Sequence, residues 1–137
     1  MNIKLTHKTS VLPTRAHFDD AGLDCYARIG AVIEAGETVI VPLGFAVELP
    51  AGIEMQIRGR SSMAAKGVWC HLGTVDSGYR GEVSAILHNL THSRYYISEG
   101  ERVAQAVLAS FRSLPLHEVD SLAPSKRGVG GFGSTGV

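Results

Sequence analysis

The sequence predicts an all-β fold, a sandwich or barrel with one short helix and an extended C-terminal arm, and three observations carry that prediction. Turn signals recur at short intervals: "EAGE" at Glu34 to Glu37, "LPAG" at Leu49 to Gly52, "DSGYRG" at Asp76 to Gly81 and "SEGE" at Ser98 to Glu101. Between them lie short runs rich in valine, isoleucine, leucine and aromatic residues, the rhythm of strands joined by turns. From about Ser113 the periodicity is lost and the chain leads into "RGVGGFGSTG", which divides the 137 residues into a β domain over 1–113 and an arm over 114–137.

Taken in order, "TVIVPLGFAVEL", "IEMQIR", "EVSAILHNL" and "RYYI" read as strands because apolar and β-branched residues dominate each run. "SSMAAKG" is the one helical segment, with good helix formers, a serine to cap its start and Gly67 to stop it. "RVAQAVLASF" is ambiguous by propensity. Its place after the "SEGE" turn favours a strand, as does the alternation of Val103, Gln105, Val107 and Ala109 against Arg102, Ala104, Ala106 and Leu108.

Thirteen basic residues balance thirteen acidic ones. That composition does not suggest the broad basic face of a nucleic-acid binder, although a local cluster could still hold a small anion. "MNIKLTHKTSVL" lacks the apolar run of a signal peptide, and no stretch approaches the roughly 20 apolar residues of a membrane span, so a soluble cytoplasmic protein is expected. Cys25 and Cys70 form no C-x-x-C pair and are expected as reduced thiols. His88 and His92 would share a face only in a helix, and their segment reads as a strand and turn, so no histidine metal site is expected. Gly128, Gly130 and Gly133 match G-x-G-x-x-G, but that motif works between a strand and a helix, and no helix is expected after it.

Polar residues with chemical potential gather in five places, all at turns or strand ends. In "DDAGLDCYA", Asp20 and Asp24 could place a hydrated cation or simply form a turn beside Gly22. In "GRSSMAAKG", Arg60, Ser61 and Ser62 stand where a guanidinium, hydroxyls and free N–H groups could converge on a phosphate; a cap explains one serine and leaves Arg60 over. "GTVDSGYRGE" sets Asp76 and Tyr79 on a glycine-marked hairpin turn, as turn former and packing residue or as proton acceptor and support for a sugar. Gln105 in "GERVAQAVL" is a neutral amide suited to a phosphate oxygen or to solvent. The last cluster is the tail. Its glycines could form an anion-binding nest, Arg127 adds charge, Ser134 and Thr135 add hydroxyls, and Phe132 offers a face for base stacking, worth about 1–3 kcal/mol in comparable systems. Such a segment reads as a lid that orders over ligand.

In this order the five clusters resemble the five motifs of the homotrimeric dUTP pyrophosphatases (dUTPases), from Asp20 to Gly136. The resemblance implies a jelly-roll-like distorted β-barrel that hydrolyses dUTP to dUMP and pyrophosphate with Mg²⁺, at composite sites between three subunits. It implies that Asp24 assists the metal through water, and that Arg60, Ser61, Ser62 and Gln105 hold phosphates, Gln105 also serving catalysis. Asp76 would contact the 3′-hydroxyl and orient the water that attacks the α-phosphorus, while Tyr79 excludes ribose. Cys70 and Gly73 fall in the base- and sugar-binding segment. The arm would bring Arg127 to the phosphates and Gly131, Phe132, Gly133 and Ser134 over the nucleoside. In this family, motifs one, two and four of a site come from one subunit, the third from another and the fifth from the remaining one.

Two departures from the family pattern stand out. Ser62 occupies a position where R-S-G is common, and Cys70 stands where some members carry an asparagine toward uracil, so base reading here leans on backbone groups. The dCTP deaminases share the fold but need a proton-shuttling glutamate where this chain has Ile86, which an alkyl side chain cannot replace. A non-catalytic nucleotide sensor is the alternative of another class, and the presence of Asp76 together with the whole tail motif favours an enzyme.

Overall fold

The segment Ser84–Asn89 shows the pattern that builds this protein: Ala85, Leu87 and Asn89 are buried while Ile86 faces outward, the two-residue period of a pleated strand. The computed structural model describes residues 1–131. Among them are eleven strands: β1 (Asn2–Leu5), β2 (Gly22–Tyr26), β3 (Ala31–Ile33), β4 (Thr38–Pro42), β5 (Phe45–Glu48), β6 (Ile53–Arg58), β7 (Val68–Cys70), β8 (Gly73–Val75), β9 (Ser84–Asn89), β10 (Tyr95–Ile97) and β11 (Arg102–Ser110). A single helix, α1 (Ser61–Ala64), lies between β6 and β7.

The strands pair antiparallel in four small sheets, ordered β2-β11-β6-β8, β4-β9-β7, β1-β5 and β10-β3. Consecutive strands keep changing sheet, which wraps the chain into a distorted jelly-roll-like barrel instead of a flat meander. The interior is filled by Ile33, Val41, Leu43, Phe45, Met55, Ile57, Leu87 and Val103, with Cys25, Ala104 and Ala106 where strands approach closely. Among the described residues, Asn89 is the one polar side chain buried with them. Its Nδ2 donates to the carbonyls of Ile33, Glu34 and Ser93, and its Oδ1 accepts from the Thr91 amide and hydroxyl, so the end of β9 is tied to the end of β3.

The structure departs from sequence expectation in four places. The run "TVIVPLGFAVEL" is two strands, β4 and β5, in different sheets, because Leu43 and Gly44 turn a corner between them. The helix has no serine cap: Arg60 occupies the N-cap position without a side-chain cap hydrogen bond, and Ser61 and Ser62 lie inside the helix. On β11 a bulge between Arg102 and Ala104 buries Val103 and Ala104 together. This breaks the alternation that grouped Val103 with Gln105. Finally, Asp76 and Tyr79 do not sit on a hairpin. Strand β8 pairs with β6 and strand β9 with β4 and β7, so the segment between β8 and β9 is an arch crossing from one sheet to another.

That arch is anchored at its far end. Glu82 accepts from Arg28 Nε at 2.7 Å and Nη2 at 3.3 Å, from Thr6 Oγ1 at 2.9 Å and from the Gly44 amide at 3.0 Å. Partial burial pushes the Glu82 carboxyl upward, but the Arg28, Thr6 and Gly44 contacts outweigh it and hold the group below the usual carboxylate range.

Two measurements test these readings. Asn89→Leu, close in volume but unable to hydrogen bond, should cost about 2–4 kcal/mol in chemical denaturation because several carbonyls lose their partner. A loss below half a kcal/mol would mean that water replaces the amide. For Glu82 the sign follows from its lowered value. Its stabilising contribution is complete above the unfolded carboxylate value of about 4.3 and is lost as pH falls through the folded one. Glu82→Gln should therefore flatten the acid limb of the stability curve, seen as a melting temperature less sensitive to pH between about 5 and 3 than that of the wild type.

Candidate functional site

Pairing between β2 and β11 sets Asp24 opposite Gln105, and pairing between β11 and β6 sets Gln105 opposite Arg58. Directly opposed residues share a face, so three of the sequence clusters converge on one side of this sheet. Arg60, just beyond β6, turns back over it: its Nε donates to Asp24 Oδ1 at 2.9 Å and its Nη1 to the Arg102 carbonyl at 3.0 Å and Ser62 Oγ at 3.4 Å. Arg102 completes the arrangement by donating from Nη1 to Asp24 Oδ2 at 3.0 Å. Each oxygen of Asp24 thus faces a different arginine.

Two guanidinium groups against one carboxylate leave one positive charge uncompensated. The Asp24 and Arg60 side chains are only about a fifth exposed, at 19% and 22%, where a charge is screened less than at the open surface. Arg60 uses Nε and Nη1 in these contacts, which leaves the Nη2 edge of its planar fork for an anion. Gln105 stands between two clefts. One of about 370 Å³ is lined by Gly59, Arg60, Ser61, Trp69, Cys70 and Gln105, and one of about 270 Å³ by Ala16, Asp20, Gly22, Asp24 and Gln105. Its Nε2 donates to the Gly59 carbonyl at 2.8 Å. Its Oε1 lies against Gly22, where any Cβ would collide with it. The first, second and fourth sequence clusters supply Asp24, Arg60, Ser61 and Gln105 here, and Arg102 is the contributor that sequence reasoning missed. It borders the bulge in β11, and nothing in the sequence signals that it reaches Asp24.

Asp76 and Tyr79 are elsewhere. They line a third cleft of about 290 Å³ with Ile57, Gly73, Glu82, Val83, Ser84 and Ile86. Val75 is paired with Met55 near the start of β6, whereas Arg60 follows the end of that strand, so at a strand's rise per residue the backbone carrying the two groups is separated by about 15–20 Å. One chain therefore brings Asp24, Arg60, Ser61 and Gln105 together, brings Gly73, Asp76 and Tyr79 together, and keeps the two sets apart. Within the arch the Tyr79 amide donates to the Asp76 carbonyl at 3.0 Å and its hydroxyl to the Glu82 carbonyl at 3.1 Å.

Cys70 lies in the Arg60 cleft, its Sγ near the His71 carbonyl at 3.5 Å, and burial pushes its thiol up to about 11. In the arm, Arg127 donates from Nε to the Gly130 carbonyl at 2.8 Å and is not among the residues lining these clefts. Gly131 is half-buried. Phe132, Gly133 and Ser134 lie outside the described residues. No cluster of three or more histidine, cysteine or acidic side chains able to hold a metal directly occurs among the described residues. Asp24, with both oxygens engaged by arginines, could not ligate a metal directly without giving up one of these contacts, which leaves contact through water as its route to a cation.

Comparison with known proteins follows this geometry. The dUTPase family model matches residues 8–136. The deoxyuridine 5'-triphosphate nucleotidohydrolase of Gloeothece citriformis (strain PCC 7424) is 44% identical, covering 100% of this chain and 98% of its own. Among solved structures, the Staphylococcus bacteriophage 80alpha dUTPase with dUpNHpp superposes with a TM-score of 0.94 at 27% identity, over 99% of this chain and 98% of that one. A mutant dUTPase from phage phi11 of S. aureus, in which a structural Mg(II) ion is coordinated, shares the fold with a TM-score of 0.84 at 22% identity, over 88% and 96%.

The raised Cys70 value makes a direct prediction. With the thiolate scarce near neutrality, iodoacetamide should label Cys70 in the folded protein about 100-fold more slowly than an ordinary free cysteine at pH 7.5, and faster as pH rises. Labelling at the ordinary rate, read by mass spectrometry of the tryptic peptide, would contradict the burial described.

Proposed function

The chain belongs to the dUTPase family and hydrolyses dUTP to dUMP and pyrophosphate, and on that premise we propose that it does so at a site shared between subunits of a homotrimer. The observation that supports this reading is the separation of about 15–20 Å between the Asp76 cleft and the Arg60 cleft along β6. In a nucleotide the sugar adjoins the α-phosphate, so a group on the sugar and the groups that hold the phosphates must converge on one small molecule. A single copy does not make them neighbours, and a second copy can. The family pattern then supplies the third subunit, whose arm carries Arg127 and Phe132.

In this scheme Asp76, exposed at the end of β8, accepts a hydrogen bond from the 3′-hydroxyl and orients the water that attacks the α-phosphorus in line with the leaving pyrophosphate. Tyr79 lies against the sugar and leaves no room for a 2′-hydroxyl. Across the subunit boundary, Arg60 presents its Nη2 edge to the phosphates, and Ser61, Ser62 and Gln105 add neutral donors. Arg127, Gly131, Phe132, Gly133 and Ser134 close over the nucleotide, with Phe132 stacked on the base. Base reading falls to backbone groups near Cys70, since a thiol held near 11 is a poor substitute for an amide. Mg²⁺, carried chiefly by the triphosphate with Asp24 contacting its water shell, would neutralise charge on the phosphates.

Asp76→Asn should lower pyrophosphate release from dUTP by at least a thousandfold while nucleotide binding stays measurable, and near-normal turnover would remove Asp76 from the scheme. UTP should be a poor substrate, at least a hundredfold below dUTP in kcat/KM, and parity would refute sugar exclusion by Tyr79. The shared site has its own test. Two inactive variants, Asp76→Asn and Arg60→Ala, co-refolded in equal amounts, should regain up to about a quarter of wild-type activity, because mixed trimers restore some complete sites. No recovery, or a monomer by light scattering, would place both residues in one chain's site or dismiss one of them.

A further inference from the structure

Glu82 belongs to none of the sequence clusters, yet the arch that carries Asp76 and Tyr79 ends on it. Its side chain is held by four donors on three different segments: Arg28 after β2, through both Nε and Nη2, Thr6 after β1, and the Gly44 amide between β4 and β5. Its main-chain carbonyl meanwhile accepts the Tyr79 hydroxyl. The Glu82 carbonyl shares its planar peptide unit with the Val83 amide, which donates to the Phe45 carbonyl, while the Val83 carbonyl accepts from the Leu43 amide. The peptide that receives Tyr79 is therefore held from both ends. The Val83 bond holds its amide end, and the Glu82 side-chain clamp holds the Cα from which its carbonyl end departs.

Tyr79 has few other restraints. Its side chain is exposed, and its ring lies over Gly81, where any Cβ would meet the phenol. A phenol ring on an open arch could rotate away from a sugar at little cost unless its hydroxyl were held. We propose that Glu82, clamped by Arg28, is a positioning residue for sugar discrimination: together with the Val83–Phe45 bond it holds the peptide whose carbonyl receives Tyr79, and thereby keeps the ring where a 2′-hydroxyl would clash. The inference rests on the reading of Tyr79 as the residue that excludes ribose. It adds a second layer of residues, Arg28 and Glu82, whose effect on selectivity is indirect.

The effect is specific enough to separate from simple destabilisation. A loosened arch still offers Asp76 to solvent and substrate, but the penalty against UTP falls because the ring can yield. The readout is the ratio of kcat/KM for dUTP to that for UTP, measured at pH 7.5 on protein confirmed folded by a cooperative melt. Glu82→Ala should lower that ratio about tenfold or more, Glu82→Gln, which keeps an acceptor oxygen but not the charge, should lower it less, and Tyr79→Ala should abolish most of it. In the Tyr79→Ala background Glu82→Ala should change the ratio no further, since the two act in series. If Glu82→Ala does not fold, Arg28→Lys, which keeps a cation but loses the two-pronged contact, supplies the same readout. Rates for dUTP and UTP that fall in parallel in the Glu82 and Arg28 variants, while Tyr79→Ala still collapses the ratio, would overturn the proposal alone. A ratio untouched by Tyr79→Ala would overturn the sugar-exclusion reading and this proposal with it.

Discussion

The rise of a single strand governs how this protein can work. β6 joins the two chemically equipped regions of the chain, the Asp76 arch beside its start and the Arg60 turn after its end, and an extended backbone cannot be shortened to bring them together. The distance is enforced by pairing on both sides: β11 pairs with β6 from Ile53 to Arg58, and β8 pairs with it from Met55 to Ile57. Any arrangement that used both regions on one small substrate within one copy would have to break these ladders. The division of labour between copies proposed above would therefore be a consequence of sheet geometry and not an addition to it.

On the phosphate side the governing balance is electrostatic. A carboxylate between two arginines would be a poor investment for stability alone, since desolvating three charged groups costs much of what their attraction returns. In the proposed site it would hold a guanidinium in one orientation before an anion arrives. Asp24 fixes Arg60 through Nε, the Arg102 carbonyl fixes Nη1, and the net positive charge that remains is directed at the cleft beside Ser61 and Gln105. Holding the fork in advance avoids part of the side-chain entropy that binding would otherwise cost. Arg102 serves twice, since its side chain shares Asp24 and its carbonyl receives Arg60.

What could be read from the sequence divides along physical lines. Turn chemistry and local apolar runs are short-range properties, so the β6, β9, β10 and β11 strands and the short helix are legible, and local composition also marks Arg60, Ser61 and Gln105 as polar residues worth following. Long-range pairing is not written locally. The arch between β8 and β9 has the composition of a hairpin turn, with Asp76, Gly78 and Gly81, and only the partners of the flanking strands reveal that it changes sheets. The bulge near Arg102 has no glycine or proline to announce it, so simple alternation puts Val103 on the face of Gln105. The Arg28, Thr6 and Glu82 cluster joins residues far apart in sequence, and its members look like ordinary surface residues until the fold assembles them.

The outer face of the β4-β9-β7 sheet fits the same account. Ile40 and Ile86 are direct cross-strand neighbours, 70% and 40% exposed, and Trp69 at 59% lies on the adjoining strand opposite His88. Single exposed apolar side chains are ordinary, but aligned pairs on a flat, well-paired sheet are surfaces whose hydration carries a free-energy cost until something covers them. Ile40 and Ile86 also line the cleft of Asp76 and Tyr79, so whatever covers this face also bounds that cleft. In a shared-site trimer, burial of apolar surface and completion of the sugar-binding wall would be one event, and the association that stabilises the subunits would be the same step that assembles the catalytic site.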